Sequence, residues 1–167
     1  MSEENFRPMR RGKQQMTDGE NRDVLAKMTS GVLALSGDNR YPYAVPISYV
    51  LHDNLLYFHS AVTGHKIDAV KNGEKASFCV IEQDKVLADK FTTAYRSVIA
   101  FGKISLVDNA DERLLALRLL TEKYSPNVPE EAVDQAINSG LNRVAILRLE
   151  IAYLTGKQGR QTSEMAR

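Results

Sequence analysis

Three strand-like stretches follow one another between residues 32 and 60 with only short turns between them. They read "VLALSG", "YAVPISYVL" and "NLLYFHS", separated by "DNRYP" and "HDN". Strands joined in succession by hairpin-type turns argue for a mainly antiparallel sheet or barrel with helices placed around it. Pro46 sits inside the second stretch and cannot donate to a sheet ladder, which sends that strand to an edge or a bulge.

The flanking segments agree. "TDGENRDVLAKMTSG" predicts a short helix, with Thr17 and Glu20 at capping-box spacing and Gly31 as its stop. A short helix over roughly 64–72 follows the third strand. "KASFCVIE" and "YRSVIAFGKISLV" read as strands, with Gly102 a bulge or close-approach point in the second. "DNADERLLALRLLTEKYS" is a helix capped by Asn109, with Glu112 at cap spacing. "VPEEAVDQAINSG" is another, opened by Pro129 and closed by Gly140, and "RVAILRLEIAYL" is a last strand. The organisation is an N-terminal arm over 1–16, one domain over 17–157 and a polar tail over 158–167. The result is a barrel-like α+β domain. Strands and helices do not alternate throughout, and neither GxGxxG nor GxxxxGK[ST] occurs, which argues against a doubly wound nucleotide fold.

Composition narrows the partners. Twenty-two basic against 21 acidic residues leave a formal charge of +1, so the balance makes no general case for nucleic acid or an anionic membrane. A local basic patch stays open, since Arg7, Arg10, Arg11 and Lys13 crowd the start. No stretch approaches the ~18 apolar residues of a membrane span. One cysteine, Cys79, excludes an intrachain disulfide and a thiolate-rich metal site. These features fit a cytoplasmic protein.

The chemistry-bearing residues cluster in "YFHSAVTGHKIDAV". A helix starting near Gly64 presents unpaired amides and its positive dipole end, Lys66 adds a full charge, and Ser60 and Thr63 offer hydroxyls. That combination suits a phosphate; a solvated turn is the alternative. The edge strand around Pro46 either guards against aggregation or offers backbone groups to a flat heterocycle. Arg96, beside Tyr95 and Ser97, suits an anionic ligand or a salt bridge between subunits; a solvated strand end is the alternative. His59 is either a structural or a ligand-facing histidine. His52 and Tyr124 receive no role.

Taken together, "MRRGKQQM", "YPYAVPISYV", "LLYFHSAVTGHKIDAV", "YRSVIAFGKI" and the closing "LTGK" resemble the FMN-binding split-barrel family typified by pyridoxamine 5′-phosphate oxidase, over roughly residues 9–157. Within it the chain is most similar to the nitroimidazole-resistance type. The resemblance implies a six-stranded antiparallel split β-barrel with peripheral helices, forming a homodimer with two FMN at the subunit interface. It implies flavin contacts from Tyr43, Ala44, Val45, Pro46, Ile47 and Ser48. His59 and Ser60 would approach the phosphate and ribityl chain, His65 and Lys66 would bind the phosphate, and Ser97 would correspond to a residue reaching the ring.

Three departures bear on function. His65 replaces an arginine, so phosphate binding rests more on Lys66, hydroxyls and helix amides. Ser97 replaces an amide side chain. The C-terminal Arg-x-His that grips pyridoxal phosphate in the oxidases has no counterpart in "LTGKQGRQ". The expectation is therefore an FMN-dependent reductase of nitroaromatic or other small acceptors, with NAD(P)H a candidate donor, no assigned catalytic acid or base, and no metal. A flavin-binding carrier or sensor without turnover, and a haem-binding or haem-degrading relative, are the alternatives.

Overall fold

The computed structural model describes residues 6–140, 143–160 and 162. The elements run α1 (Asp18–Lys27), β1 (Ser30–Ser36), β2 (Pro42–Ser48), β3 (Val50–His52), β4 (Leu55–Ala61), α2 (His65–Asn72), β5 (Lys75–Leu87), β6 (Thr92–Leu106), α3 (Ala110–Tyr124), α4 (Glu130–Gly140) and β7 (Val144–Gln158). All the paired strands are antiparallel, and they form one sheet in the order β2-β1-β5-β6-β7-β4-β3.

The two edge strands of that sheet, β2 and β3, are neighbours in sequence with Tyr49 alone between them. A flat seven-stranded sheet spans roughly 29 Å between its edges at the usual inter-strand spacing. One residue cannot cross that distance, so the sheet curls until its edges meet. β2 and β3 do not pair with each other, and the barrel stays split.

The sequence leads to six strands; the structure has seven, because "YAVPISYVL" breaks at Tyr49 and its halves join opposite edges. Pro46 lies on edge strand β2, where its missing N–H does least harm. The β6–β7 register shifts between Phe101 and Gly102, placing a bulge at the expected glycine. A Cβ on Gly102 would fall 1.9 Å from the Glu150 carbonyl oxygen.

Side chains of Leu33, Leu35, Phe58, Phe78, Val80, Val98, Leu147 and Leu149 fill the barrel, and α1 and α2 add Val24, Leu25, Ile67 and Val70. A second cluster, Val50, Tyr57, Ala116, Leu120 and Ile146, lies under α3. Glu112 of α3 accepts from the Tyr57 hydroxyl at 2.8 Å and from Arg148 at 3.0 Å.

Local signals hold at most helix ends. Thr17 and Glu20 form the reciprocal capping box of α1, and the Asn109 side chain caps α3. Gly31 does not stop α1, which ends at Lys27. It lies in β1, where a Cβ would meet the Phe78 ring at 2.5 Å.

The arm is also more than an arm. Met16 is 3% exposed within the core, its amide donates to Gly156 O at 2.9 Å, and Gln15 bridges Lys157. The Phe6 ring stacks on Tyr153 at 4.7 Å. At the other end β7 runs to Gln158, past the expected domain limit, and the Thr162 hydroxyl donates to Tyr95 O. Residues 1–5 of the arm, and 161 and 163–167 of the tail, lie outside the described residues. Among the described residues no helix is long and apolar enough to cross a membrane.

Candidate functional site

Strand β4 ends at Ala61 and the chain re-enters the fold as α2, turning at Gly64. Gly64 has φ +117°, a conformation that side-chain-bearing residues rarely adopt, and open space surrounds the position its Cβ would take. The first helical bond of α2 runs from the Asp68 amide to Gly64 O, and no side chain caps the helix start. The amides of the first turn therefore face outward beside Thr63.

Lys66 folds back over this turn. Its Nζ donates to Ser60 Oγ at 3.2 Å, and burial pushes the ammonium below its ordinary pKa. A partly desolvated cation with a hydroxyl as its partner is electrostatically undersatisfied, which an anion would correct. His65, the next residue back, is engaged otherwise. Its ring stacks on Tyr43 at 4.0 Å and its Nε2 lies 3.7 Å from an Asp38 carboxylate oxygen. Gly37 makes room for this arrangement, since a Cβ there would lie 2.9 Å from that of Tyr43 and 3.5 Å from His65 Nε2.

In β2, Tyr43, Val45 and Ile47 turn towards the core, while Ala44 and Pro46 are exposed. Only β1 pairs with β2, so its second edge is open. β2 also approaches β4 across the split. On β4, Phe58 is buried in the core and His59 is exposed. The Tyr43–His65 and Ser60–Lys66 pairs thus lie at one end of the split, while His59, next to Ser60, projects from the opposite face of β4.

Ser97 does not join them. It pairs with Ile81 and Lys157, in the lateral row that reaches Ser30 and Ser48 at the far end of β2. Over the sheet surface, that is roughly 17 Å along β2 from Tyr43 and roughly 14 Å across three strand spacings. Ser97 therefore lies apart from the other candidate residues within one chain.

Between the parts lies the outer face of the sheet. One row runs Pro46, Val32, Cys79, Ile99, Thr155 and the next Ala44, Ala34, Ser77, Phe101, Tyr153. Val32 and Ile81 are 39% and 57% exposed on this surface. The Phe6 ring of the arm covers part of the second row, 5.8 Å from the Phe101 ring and 4.7 Å from that of Tyr153. Burial raises the Cys79 thiol pKa, so it is not an activated nucleophile.

Arg96 is taken up structurally: its guanidinium lies 2.9 Å from Glu82, which also receives Lys27 at 2.9 Å, and Glu20 stands at 4.0 Å. Among the described residues no group of three or more His, Cys, Asp or Glu is placed to hold a metal ion.

Sequence reasoning missed two features. Tyr124 and Lys123 close the barrel seam around Tyr49, and nothing local marks that role. The arm's Arg10, Arg11 and Lys13 line a cavity with Tyr95 and Arg160; the basic run was visible, its destination was not.

The sequence profile of the pyridoxamine 5′-phosphate oxidase family matches residues 17–158. No curated protein matches the chain. Among solved structures, a Bacteroides thetaiotaomicron protein described as a candidate 5-nitroimidazole antibiotic resistance protein is similar at 17% identity. That match covers 86% of this chain and 85% of that one, with TM-score 0.70. A FAD-binding protein from Mesorhizobium loti is 22% identical, with coverage of 87% and 97% and TM-score 0.64. The FAD and heme binding protein from Mycobacterium smegmatis is 20% identical, with coverage of 88% and 74% and TM-score 0.70. At these identities the likeness is one of fold.

Proposed function

The chain belongs to the pyridoxamine 5′-phosphate oxidase family, and from that premise we propose that it is an FMN-binding oxidoreductase reducing nitroaromatic or other small acceptors. The observation that carries the reading is the Lys66–Ser60 pair at the uncapped start of α2. There a partly desolvated ammonium and a hydroxyl pair beside a helix start that no side chain caps, next to the unobstructed Gly64.

The residues fit a flavin phosphate. Lys66 and Ser60 would hold it with the amides of α2. His65 would orient Tyr43 and shield the junction, because Asp38 beside it opposes a second anion contact. The β2 backbone from Tyr43 to Ser48, with Pro46 exposed, would line the split, and His59 would stand at its mouth. A bound flavin supplies the electron-transfer chemistry; the protein supplies binding, orientation and electrostatics.

The position of Ser97, five residues along the sheet and three strands across from Tyr43, supports an assembly reading. Two copies packed through the outer face would set the Ser97 end of one against the split of the other. We infer a homodimer with two such clefts. The nitroimidazole-resistance likeness and the FAD-binding relatives support a flavin and a small acceptor; NAD(P)H is the donor to test.

The experiment is FMN titration of the purified protein, followed by flavin fluorescence, alongside Lys66→Ala. About tenfold or greater weakening is expected from loss of the charged phosphate contact. Unchanged affinity would remove the assignment. Bound flavin that NAD(P)H does not reduce would move the reading to a carrier. A Soret band on haem titration that His59→Ala abolishes would move it to a haem protein.

A further inference from the structure

At the end of the sheet away from α2, the N-terminal arm, the start of β6 and the segment after β7 line an open surface cavity of about 710 Å³. Four cations line it: Arg10, Arg11 and Lys13 from the arm and Arg160 from beyond β7. A fifth, Lys157, lies over the ring of the lining residue Tyr95 at 5.1 Å. No carboxylate stands among its described lining residues, and among the described residues none of the five cations has a carboxylate partner. In a chain with 22 basic and 21 acidic residues, this is a strong local excess.

The cavity is built, not an accident of a loose tail. The Tyr95 hydroxyl donates to Gln14 Oε1 at 2.9 Å, the Gly159 amide donates to Tyr95 O at 2.8 Å, and Met16 is pinned to Gly156. These bonds hold three separate chain segments against one cavity, which the exposed cations line. Uncompensated, the cations repel one another across the opening.

We propose that this cavity binds the polyphosphate group of a nucleotide. Four positive charges around one cavity match a diphosphate or triphosphate better than a single phosphate, and arginine forks suit phosphate oxygens. The volume is within the range of small-molecule sites and exceeds what an inorganic ion requires. Tyr95 lies two residues from Ser97, and Lys157 pairs with Ser97. A nucleotide held here therefore ends beside the Ser97 edge of the outer face. The site uses neither Lys66 nor the split of its own chain, so substitutions can test it separately from the flavin assignment.

The test is calorimetric titration of the full-length protein with pyrophosphate at low salt, in parallel with sulfate. Saturable pyrophosphate binding, stronger than sulfate, is expected. Arg11→Gln and Arg160→Gln should each weaken it about tenfold, with FMN affinity and melting temperature unchanged. Lys66→Ala should leave it intact. If either glutamine variant melts early, Arg11→Lys and Arg160→Lys keep the charge, remove the fork and should give smaller losses. ATP and NADPH as competitors separate a free nucleotide from a dinucleotide donor, and competition by either supports the site. Pyrophosphate binding no better than sulfate, or binding indifferent to both arginines, overturns the proposal.

Discussion

The Tyr124 hydroxyl is wedged into the backbone of Tyr49. It accepts from the Tyr49 amide at 2.9 Å and lies 2.7 Å from the Tyr49 carbonyl oxygen, with the Thr29 carbonyl also in contact. Having one proton, it donates to one carbonyl at a time. Tyr49 is the single residue joining the two sheet edges, so it has no strand partner of its own there. A side chain from the end of α3 replaces the missing ladder.

Tyr124→Phe removes that replacement and leaves the Tyr49 amide, in a residue that is 0% exposed, without a partner. A loss of about 1–3 kcal/mol is expected from an orphaned buried donor. Urea denaturation checks it: a lower midpoint at unchanged slope is expected, and an unchanged midpoint would show that water serves the seam equally well.

Lys123 makes stability depend on pH in a specific window. Its Nζ lies 4.2 Å from the Tyr49 ring centroid, has no hydrogen-bond partner among the described residues, and burial lowers its pKa to about 8. The unfolded lysine keeps its ordinary, higher value, so between pH 8 and about 10 the unfolded state binds more protons. Stability should therefore rise with pH across that window. Lys123→Met should stabilise the protein near neutrality and flatten the rise relative to wild type. Parallel wild-type and variant curves would refute the assignment.

Gly102→Ala drives a Cβ into the Glu150 carbonyl at the β6–β7 bulge, where the obstacle is backbone and cannot swing aside. Destabilisation above about 3 kcal/mol, or failure to accumulate folded protein, is expected. Gly19→Ala is the control. Its Cβ meets nothing within 4 Å inside α1, and a gain of up to about 1 kcal/mol is expected. Comparable melting of the two variants would contradict the close approach.

The outer face provides the test of assembly. Val32→Glu places a charge in the row from Pro46 to Thr155, at its exposed position next to Pro46, without touching the core. Sedimentation should show a dimer for wild type and a monomer for the variant, with FMN affinity falling in step. A monomeric wild type that binds FMN fully would sink the two-copy cleft.

Much of the local structure was legible because its causes are local. The Thr17–Glu20 box, the Asn109 cap, the edge proline and the Gly102 bulge each follow from what one residue type can do with its neighbours. The Ser60–Lys66 contact at the Gly64 turn was legible for the same reason: the three residues lie within seven positions. Gly31 misled, because a glycine demanded by the Phe78 ring looks the same as one that ends a helix.

By itself the sequence determined the antiparallel character of the fold, since hydrophobic alternation and turn chemistry act over a few residues. Tertiary structure alone decided that "YAVPISYVL" would part at Tyr49, that Tyr124 would fill the gap, and that Ser97 would lie far from Lys66 while the arm's cations met Arg160. Those outcomes follow from closing a seven-stranded sheet on itself. Closure sets which distant segments face one another, and no pattern within a short window carries that information.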